Sequence, residues 1–413
     1  MTQNVLTSDI IAKEALMILD NNLIGANLVY RGYEDEFDRQ VNGYKKGDTV
    51  SVRRPAQFTV RRGETAQIQE VKEGKFQIAV NILDGVDFKF TSTDLTLKID
   101  ELGERVMKPA LLQLANNIDM EIWKLYRQVH NWAGTPGQVI NSFADFGKGP
   151  ERLDKLAVPQ DERSAVMSPA DYWGMLGSQS SLFLQNPGND AYRRAKLGMI
   201  GGVDSYMAQN VQTHTVGDAA GTGTPLVNGA NQDTTYESVK DTNTQNLVTD
   251  AWGNSKTLRQ GDVFTIAGVF AVNPVTKAVE DYLQQFVVTA DVVTHAAGGN
   301  TTIAIAPAIV ASGAYQTVSA APADNAAVTV LGTAGTPYKQ NMVFHKNAFA
   351  LTMVPLEMPA GSVGGARKSY NGLSVRVVPT WDGINNVSFW RLDVLYGVKA
   401  IDTRLATRLS GSP

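Results

Sequence analysis

The apolar positions near the N-terminus recur at helical spacing. Residues 8–20 predict a short helix, because Ile11, Ala15 and Ile18 fall on one side and Ser8 can cap the first turn. The apolar stripe is either part of the domain's own core or the face of an arm that packs on another subunit. The sequence leaves both alternatives open.

Residues 48–92 alternate apolar and polar positions, which is typical of β-strands. The alternation is clearest at 50–52, 76–82 and 86–90. The polar segment between these strands carries both signs of charge: its cations are Arg53, Arg54, Arg61, Arg62, Lys72 and Lys75, and its acids are Glu64, Glu70 and Glu73. We expect a long hairpin-like loop, which is marginally stable in water unless it lies against something. A solvated charged hairpin is the plainest interpretation, and the interleaved glutamates argue against phosphate binding.

The longest predicted helix lies within residues 100–131, where apolar residues recur at three- and four-residue steps. Pro109 lacks an amide hydrogen, so it fits the first turn of a helix and not the interior. We therefore expect the main helix to run from Pro109 to His130. At ~1.5 Å per residue this segment is about 30 Å long, enough to cross a domain as a spine.

The second half of the chain mixes helical and strand patterns. Ser164–Met167 predicts a short strand, and Ser168–Asp171 predicts a capped helix start with proline at the first helical position. After Thr213 the composition shifts to Thr, Asn, Asp, Gly and Ala, with strands predicted at 263–269 and 286–293. The mixed pattern resumes at residue 342. We therefore predict an α+β fold that is interrupted by a small all-β module.

Composition places the chain among globular proteins. The 37 lysine and arginine residues against 41 aspartate and glutamate residues give a net charge of −4, which excludes overall charge as the means of holding nucleic acid. A hydrophobic share of 43% with 19% charged residues is far from disordered composition, and the length suggests two or three domains. With no cysteine, disulfides, thiolate catalysis and iron–sulfur clusters are excluded.

The N-terminal residues lack the basic region of a signal peptide, and Asp9 and Glu14 interrupt the apolar stretch. No apolar run approaches the roughly 18 residues of a membrane span. We therefore expect a protein made and kept in the cytoplasm, or inside something assembled there, without membrane contact.

A search for catalytic chemistry finds no specific motif. The four histidines are scattered without metal-ligand spacing. The glycine-rich stretch 361–369 misses the phosphate-loop pattern, since Ala366 and Arg367 occupy the positions of its glycine and lysine, and the turn-prone Asn371-Gly372 follows. There is no Gly-x-Ser-x-Gly elbow. We predict no catalytic, cofactor or metal site, and no enzyme.

Three short segments resemble a known family. They are Leu114-Ala-Asn-Asn-Ile118, the stretch from Gly261 to Val269, and the stretch from Trp390 to Val398. In this order and spacing they resemble the major capsid proteins of tailed bacteriophages, which have the Hong Kong ninety-seven fold. Within that family the chain is similar to the coat proteins of the Salmonella phage P-twenty-two group, which carry an inserted β-barrel domain.

The resemblance implies a division into regions. Residues 1–45 would be an N-terminal arm, 46–92 an extended loop with peripheral-domain strands, and 93–133 the spine helix of the peripheral domain. Residues 134–213 and 342–413 would form an axial domain, and 214–341 the inserted β-barrel.

The resemblance also implies a structural function. Such proteins form hexamers and pentamers of an icosahedral shell around double-stranded DNA, assembling in the bacterial host with a scaffolding protein and a portal ring. Subunit contacts would then involve the loop cations, together with acids of the insertion in the stretch 237–250, which would hold a loop reaching a neighbouring capsomer. The candidates are Arg53, Arg54, Arg61, Arg62, Lys72, Lys75, Glu237, Asp241 and Asp250.

Two other interpretations remain at this point. A tail tube or decoration protein would share the β-rich insertion but would not need a spine helix. An enzyme or binding protein with an ancillary β domain would need a cleft with converging polar groups, for which the sequence offers no candidate set.

Overall fold

The computed structural model describes residues 8–33, 49–54, 56–66, 68–71, 73–91, 108–178, 197–234, 243–359, 364–370 and 372–412. Both helices and strands contribute, so the predicted α+β class is confirmed. The described helices are α1 (Ser8–Asn22), α2 (Gly25–Leu28), α3 (Lys108–Trp123), α4 (Phe143–Lys155) and α5 (Pro169–Ser178). Short 3₁₀ turns lie at Lys124–Gln128, Lys346–Ala348 and Thr403–Leu405.

The strands are numbered in chain order. They are β1 (Thr49–Arg53), β2 (Lys75–Ala79), β3 (Ile82–Thr91), β4 (Trp132–Ala133), β5 (Arg163–Met167), β6 (Met199–Ile200), β7 (Val203–Met207), β8 (Thr213–Thr215), β9 (Gly223–Val227), β10 (Gln245–Trp252), β11 (Thr257–Leu258), β12 (Val263–Val272), β13 (Val279–Val288), β14 (Val292–Val293), β15 (Thr301–Ala306), β16 (Val328–Val330), β17 (Pro337–Lys339), β18 (Asn341–His345), β19 (Phe349–Val354), β20 (Ala366–Tyr370), β21 (Leu373–Asp382), β22 (Val387–Ala400) and β23 (Ala406–Leu409).

The chain forms two compact units, each built from separate stretches. The first comprises Met1–Val52, Gln77–Trp123 and Phe349–Lys399, and the second comprises Arg53–Phe76, Lys124–Ala348 and Ala400–Pro413. The range 342–413, expected to be axial throughout, therefore divides between the two units.

The first unit is built on a five-stranded sheet around the long strand β22. Strand β3 pairs antiparallel with β22 from Ile82↔Tyr396 to Thr91↔Val387, and β21 pairs along the other edge. Helix α1 packs on β20, β21 and α3 with Ile11, Ala15 and other apolar residues of one face buried. The apolar stripe of α1 is therefore part of this unit's own core, which decides between the two alternatives left open by the sequence.

Helix α3 begins as predicted, with Pro109 in its first turn. Its buried side is formed by Leu111, Leu114, Ala115, Ile118, Asp119, Ile122 and Trp123. The expectation of an α-helix running to His130 is wrong, because the α-helix ends at Trp123 and the chain tightens into a 3₁₀ turn to Gln128.

The second unit contains a six-stranded mixed sheet in the order β4-β23-β18-β5-β7-β6. The predicted cap at the start of α5 is confirmed: Ser168 Oγ accepts a hydrogen bond from the Asp171 amide at 3.3 Å and donates to the Asp171 carboxylate at 2.5 Å. Helix α4 and this sheet enclose a core that includes Phe146, Leu153 and Val343.

The all-β module lies within the same unit. Its sheet runs β16-β12-β13-β15-β10-β9, and the bridge from Leu226 to Ala327 brings β9 back beside β16, which closes the sheet into a barrel. The strand predicted at 286–293 is instead the end of β13, followed by the separate β14. Strands β8 and β17 pair antiparallel where the chain enters and leaves the module. This pairing is the geometry of an insertion at one site.

Candidate subunit interface

The loop between β1 and β2 has the expected hairpin-like path, but its described residues form few backbone ladder bonds. The Arg54 amide donates to the Gly74 carbonyl at 2.7 Å, next to the two-stranded β1–β2 sheet. Further out, the Gln69 side chain accepts from the Thr59 amide at 2.9 Å and donates to the Thr59 carbonyl at 2.6 Å. A side-chain amide therefore takes the place of a backbone partner in this part of the loop.

The described cations of the loop do not form one basic patch. Arg53 pairs with Glu73 at 3.0 Å on the surface, an interaction worth about 0–1 kcal/mol. The Arg54 guanidinium lies 5.8 Å from the Phe76 ring centroid. Arg61 donates to the carbonyls of Gly63 and Thr65 and so stabilises the tip of the loop.

Arg62 and Lys75 are both exposed. Among the described residues Arg62 has no hydrogen bond or ion pair, so its charge is available to a partner. Lys75 lies in β2.

Of the four remaining candidate contact residues, the structure describes only one. Lys72, Glu237 and Asp241 lie outside the described residues. Asp250, expected in a loop, lies instead within β10. It precedes a register shift at Ala251, whose φ is +56°, and its Oδ1 is buried without a hydrogen-bond partner among the described residues. This aspartate is therefore half-buried in a sheet bulge.

Four apolar side chains on the same loop were not singled out from the sequence. Val60 is 100% exposed and Ile68 97%, while Phe58 is 55% and Val71 66% exposed. The alternation Phe58-Thr59-Val60 was the available indication, because it predicts one apolar face on an extended segment. Exposed apolar side chains grouped beside charged ones are typical of protein–protein contact surfaces.

The base of the loop is fixed to the insertion. The Gln57 amide donates to the Tyr315 hydroxyl at 3.0 Å. With its amide group turned to suit its neighbours, the Gln57 side chain donates to the Ala314 carbonyl at 3.0 Å and accepts from Arg404 at 2.9 Å. These contacts, all within the second unit, attach the base of the loop to the insertion and to Arg404.

A buried chain of polar groups also escaped sequence reasoning. His214 Nε2 lies 2.8 Å from Asp262 Oδ1, and the Tyr126 hydroxyl lies 3.2 Å from His214 Nδ1. The Asp262 carboxylate also accepts from the amides of Gly217 and Arg259. Burial lowers the pKa of His214, which favours the neutral ring that donates to Asp262 and accepts from Tyr126. Because the three side chains are at most 3% exposed, they have no access to a substrate and hold the insertion in place.

The described residues show neither a metal-binding cluster nor a membrane-spanning helix. Within the described ranges, no group of three or more histidine, aspartate or glutamate side chains is arranged to bind a metal ion. No described helix combines the length and the apolar character needed to cross a membrane.

Comparison with known proteins identifies the family. The family model described as "P22 coat protein - gene protein 5" matches residues 1–407. The chain belongs to this coat protein family. This membership confirms the resemblance to phage coat proteins.

Individual relatives of this coat protein are distant. The major capsid protein of Acyrthosiphon pisum secondary endosymbiont phage 1 is 25% identical over 386 residues, which cover 89% of this chain and 90% of that protein. The structure titled Mycobacterium phage Che8 aligns with a TM-score of 0.48 at 13% identity, covering 94% of this chain and 90% of that one. The CUS-3 coat protein I-domain aligns with a TM-score of 0.20 at 31% identity, covering 27% of this chain and 98% of that domain.

Family membership makes the chain a structural component of a phage capsid. The buried Tyr126–His214–Asp262 chain is part of its internal support, and the loop between β1 and β2 is the candidate contact surface with other subunits.

Proposed function

We propose that this coat protein assembles into hexamers and pentamers of an icosahedral shell that encloses double-stranded DNA, and that it catalyses no reaction. The curated relative named above is a major capsid protein, which supports this assignment. Assembly takes place in the cytoplasm of the bacterial host, with a scaffolding protein and a portal ring as partners. DNA is held without sequence specificity. This agrees with the net charge of −4, because a protein of this charge does not hold nucleic acid by its overall charge.

The observation that carries the proposal is the exposure of apolar side chains on the β1–β2 loop. Val60 and Ile68 are almost fully exposed on a segment supported by a two-stranded sheet. Such a segment gains little from its own fold, because two strands bury too small a surface. A second copy of the chain that covers these side chains supplies the missing burial.

Charge on the same loop sets the register of the contact. Arg62 has no acidic partner among the described residues, and Arg61 and Arg62 are both exposed. Complementary charges mainly determine which surfaces meet and how fast, and add less to affinity. Mixed charge therefore suits a subunit that makes many weak and adaptable contacts.

We retain the five regions implied by the family as part of the proposal: arm 1–45, extended loop 46–92, spine 93–133, axial domain 134–213 with 342–413, and insertion 214–341. The closed barrel and the β8–β17 pairing support the insertion limits. One part of this division changes. Because β22 pairs with β3 and belongs to the same unit as α3, we propose that 349–399 belong to the peripheral domain, which leaves 342–348 and 400–413 in the axial domain. A tail tube or decoration protein has no need for a spine such as α3.

The test is Arg61→Glu combined with Arg62→Glu, examined by sedimentation and by electron microscopy of assembled particles. We expect a folded subunit that fails to form closed shells or forms aberrant ones. The matched control is Arg61→Lys with Arg62→Lys, which keeps both charges and should assemble. Normal shells from the glutamate variant would remove the loop from the subunit interface.

A further inference from the structure

Helix α4 presents three cationic side chains to one cavity of the second unit. Lys148, Arg152 and Lys155 follow one another at four- and three-residue steps and therefore share a face of the helix. Asp281 and Tyr282 of β13 line the opposite wall. The cavity volume of about 240 Å³ lies below the roughly 300–1,000 Å³ of pockets for drug-sized molecules, so it suits a small ion.

The three cations differ in their partners. Lys155 is neutralised by Asp281 at 2.8 Å and by Glu151 at 3.1 Å. Lys148 donates to the hydroxyl of Ser412, a neutral group. The Arg152 guanidinium carbon lies 3.5 Å from the Tyr282 ring centroid. In the part of the chain that the structure describes, neither Lys148 nor Arg152 forms an ion pair. The three cations outnumber the two carboxylates that line the cavity, Glu151 and Asp281, so the lining carries one net positive charge.

Two polar atoms at this wall also lack an acceptor within the described ranges. Arg152 Nη1 and the Tyr282 hydroxyl are buried, and neither donates to an acceptor among the described residues, although Arg152 lies near enough to Tyr282 to act on its hydroxyl as a donor. Burying such a group without an acceptor is unfavourable, and more so when the group is charged. Burial raises the pKa of Tyr282 and outweighs the opposing charge of Arg152, so the phenol keeps its proton and can donate it. Both atoms therefore need an acceptor.

The surroundings are positive as well. His130 is fully buried, and burial lowers its pKa to about 3. The charges of Arg404, Arg408 and Arg152 act in the same direction and outnumber the opposing Asp402. Cationic side chains, one of them the cavity residue Arg152, therefore outnumber acidic ones around His130.

We propose that the cavity binds an oxyanion of the phosphate class, contacted by Arg152 and Lys148 and hydrogen-bonded by the Tyr282 hydroxyl. A guanidinium offers a planar pair of donors that matches phosphate oxygens, and an ammonium acts as a point charge. A tetrahedral phosphate has enough oxygens to accept from all three groups. The phosphate is either the free ion or part of a nucleic-acid backbone. The proposal does not depend on shell assembly, because every contact lies within one subunit.

The first experiment measures the thermal unfolding midpoint of the full-length subunit at increasing inorganic phosphate, with chloride at matched ionic strength as the reference. We expect a saturable rise, since a ligand that binds only the folded state stabilises it. In Arg152→Gln the apparent affinity should fall about tenfold or more, which is the effect of losing a charge-assisted hydrogen bond. A rise that never saturates, or that Arg152→Gln retains, is general salt exclusion and overturns the proposal.

Two variants guard against misfolding and non-specific charge effects. Tyr282→Phe keeps the ring beneath Arg152 and removes only the hydroxyl, so we expect an apparent affinity about 3- to 10-fold weaker. Lys256→Gln removes a cation that lies 3.8 Å from Asp218, outside the cavity, and should leave the phosphate response unchanged. If both variants respond like the parent protein, the cavity is not the binding site.

The same measurement with a short DNA duplex in place of inorganic phosphate distinguishes free phosphate from a nucleic-acid backbone as the ligand. A response to the free ion that Arg152→Gln removes identifies free phosphate as sufficient. A response to the duplex alone, again lost in Arg152→Gln, identifies the nucleic-acid backbone as the source. No Arg152-dependent response to either probe contradicts the proposal.

Discussion

The backbone amide of Gln57 donates a hydrogen bond to the Tyr315 hydroxyl at 3.0 Å, although 258 positions separate the two residues along the chain. One comes from the base of the β1–β2 loop and the other from the insertion. The insertion therefore does more than extend the subunit, because it holds the base of the loop that we propose to contact a neighbouring copy.

Tyr315→Phe should loosen this loop without unfolding the subunit. The change leaves the Gln57 amide without its acceptor and costs about 0.5–1.5 kcal/mol, so the base should open roughly 3- to 10-fold more often. Trypsin cleavage after Arg61 and Arg62 reports this opening when reclosing is faster than cleavage. The control Tyr370→Phe removes the hydroxyl of an exposed tyrosine in the other unit. Equal cleavage rates in the Tyr315 variant and the parent protein would show that the hydrogen bond does not hold the loop.

Val60→Ser combined with Ile68→Ser should slow assembly and leave the isolated subunit as stable as before. Both side chains are almost fully exposed in the subunit, so replacing them should change the free energy of unfolding by no more than about 0.5 kcal/mol. In an assembled shell the double variant loses the burial of apolar surface that Val60 and Ile68 would have gained. Light scattering measures the rate of assembly, and urea unfolding measures the free energy of unfolding of the isolated subunit. Val275→Ser, at another exposed valine outside the loop, is the control, and an unchanged rate in the double variant would exclude these side chains from the contact.

Features set by neighbouring residues could be predicted from the sequence. The cap Ser168–Asp171, the position of Pro109 and the buried face of α1 each depend on residues within a few positions of one another. The turn at Gly372, with φ of +75°, follows the same rule, since Tyr370 and Leu373 pair directly across it.

Features that join distant parts of the chain could not be predicted in this way. His214 and Asp262 are 48 positions apart, and no spacing rule links them. The family resemblance implied that Asp250 lies in a loop reaching a neighbouring capsomer, yet pairing with β9 and β15 makes this part of the chain a strand. The end of α3 at Trp123 is likewise not marked by a proline or glycine. In each case tertiary contacts decide between conformations that local preference leaves nearly equal.

Because His130 is buried in its neutral form, the protein should be less stable in mild acid than at neutral pH. Its folded pKa is about 3 against an ordinary value near 6.5, because burial and three arginines disfavour the charged ring. A depressed pKa means that the unfolded chain binds the proton first as the pH falls. The stabilisation is therefore complete above pH 6.5 and is lost progressively from there towards pH 3. From pH 7.5 to pH 5 this amounts to about 2 kcal/mol. His214 and His345, whose pKa values are also lowered by burial, add to the loss.

Urea unfolding at pH 7.5 and pH 5.0 tests this for the parent protein and for His130→Gln. The variant loses packing at both pH values, so the informative quantity is the difference between the two free energies of unfolding. We expect that difference to be smaller in the variant by about 2 kcal/mol, because glutamine does not titrate. The same difference in both proteins would mean that the pKa of His130 is the same in the folded and unfolded states, so that the ring is charged in the folded protein at pH 5.0. It would also weaken the case for an electropositive interior around Arg152, since a protonated His130 requires a counter-charge that the described residues do not provide beyond Asp402.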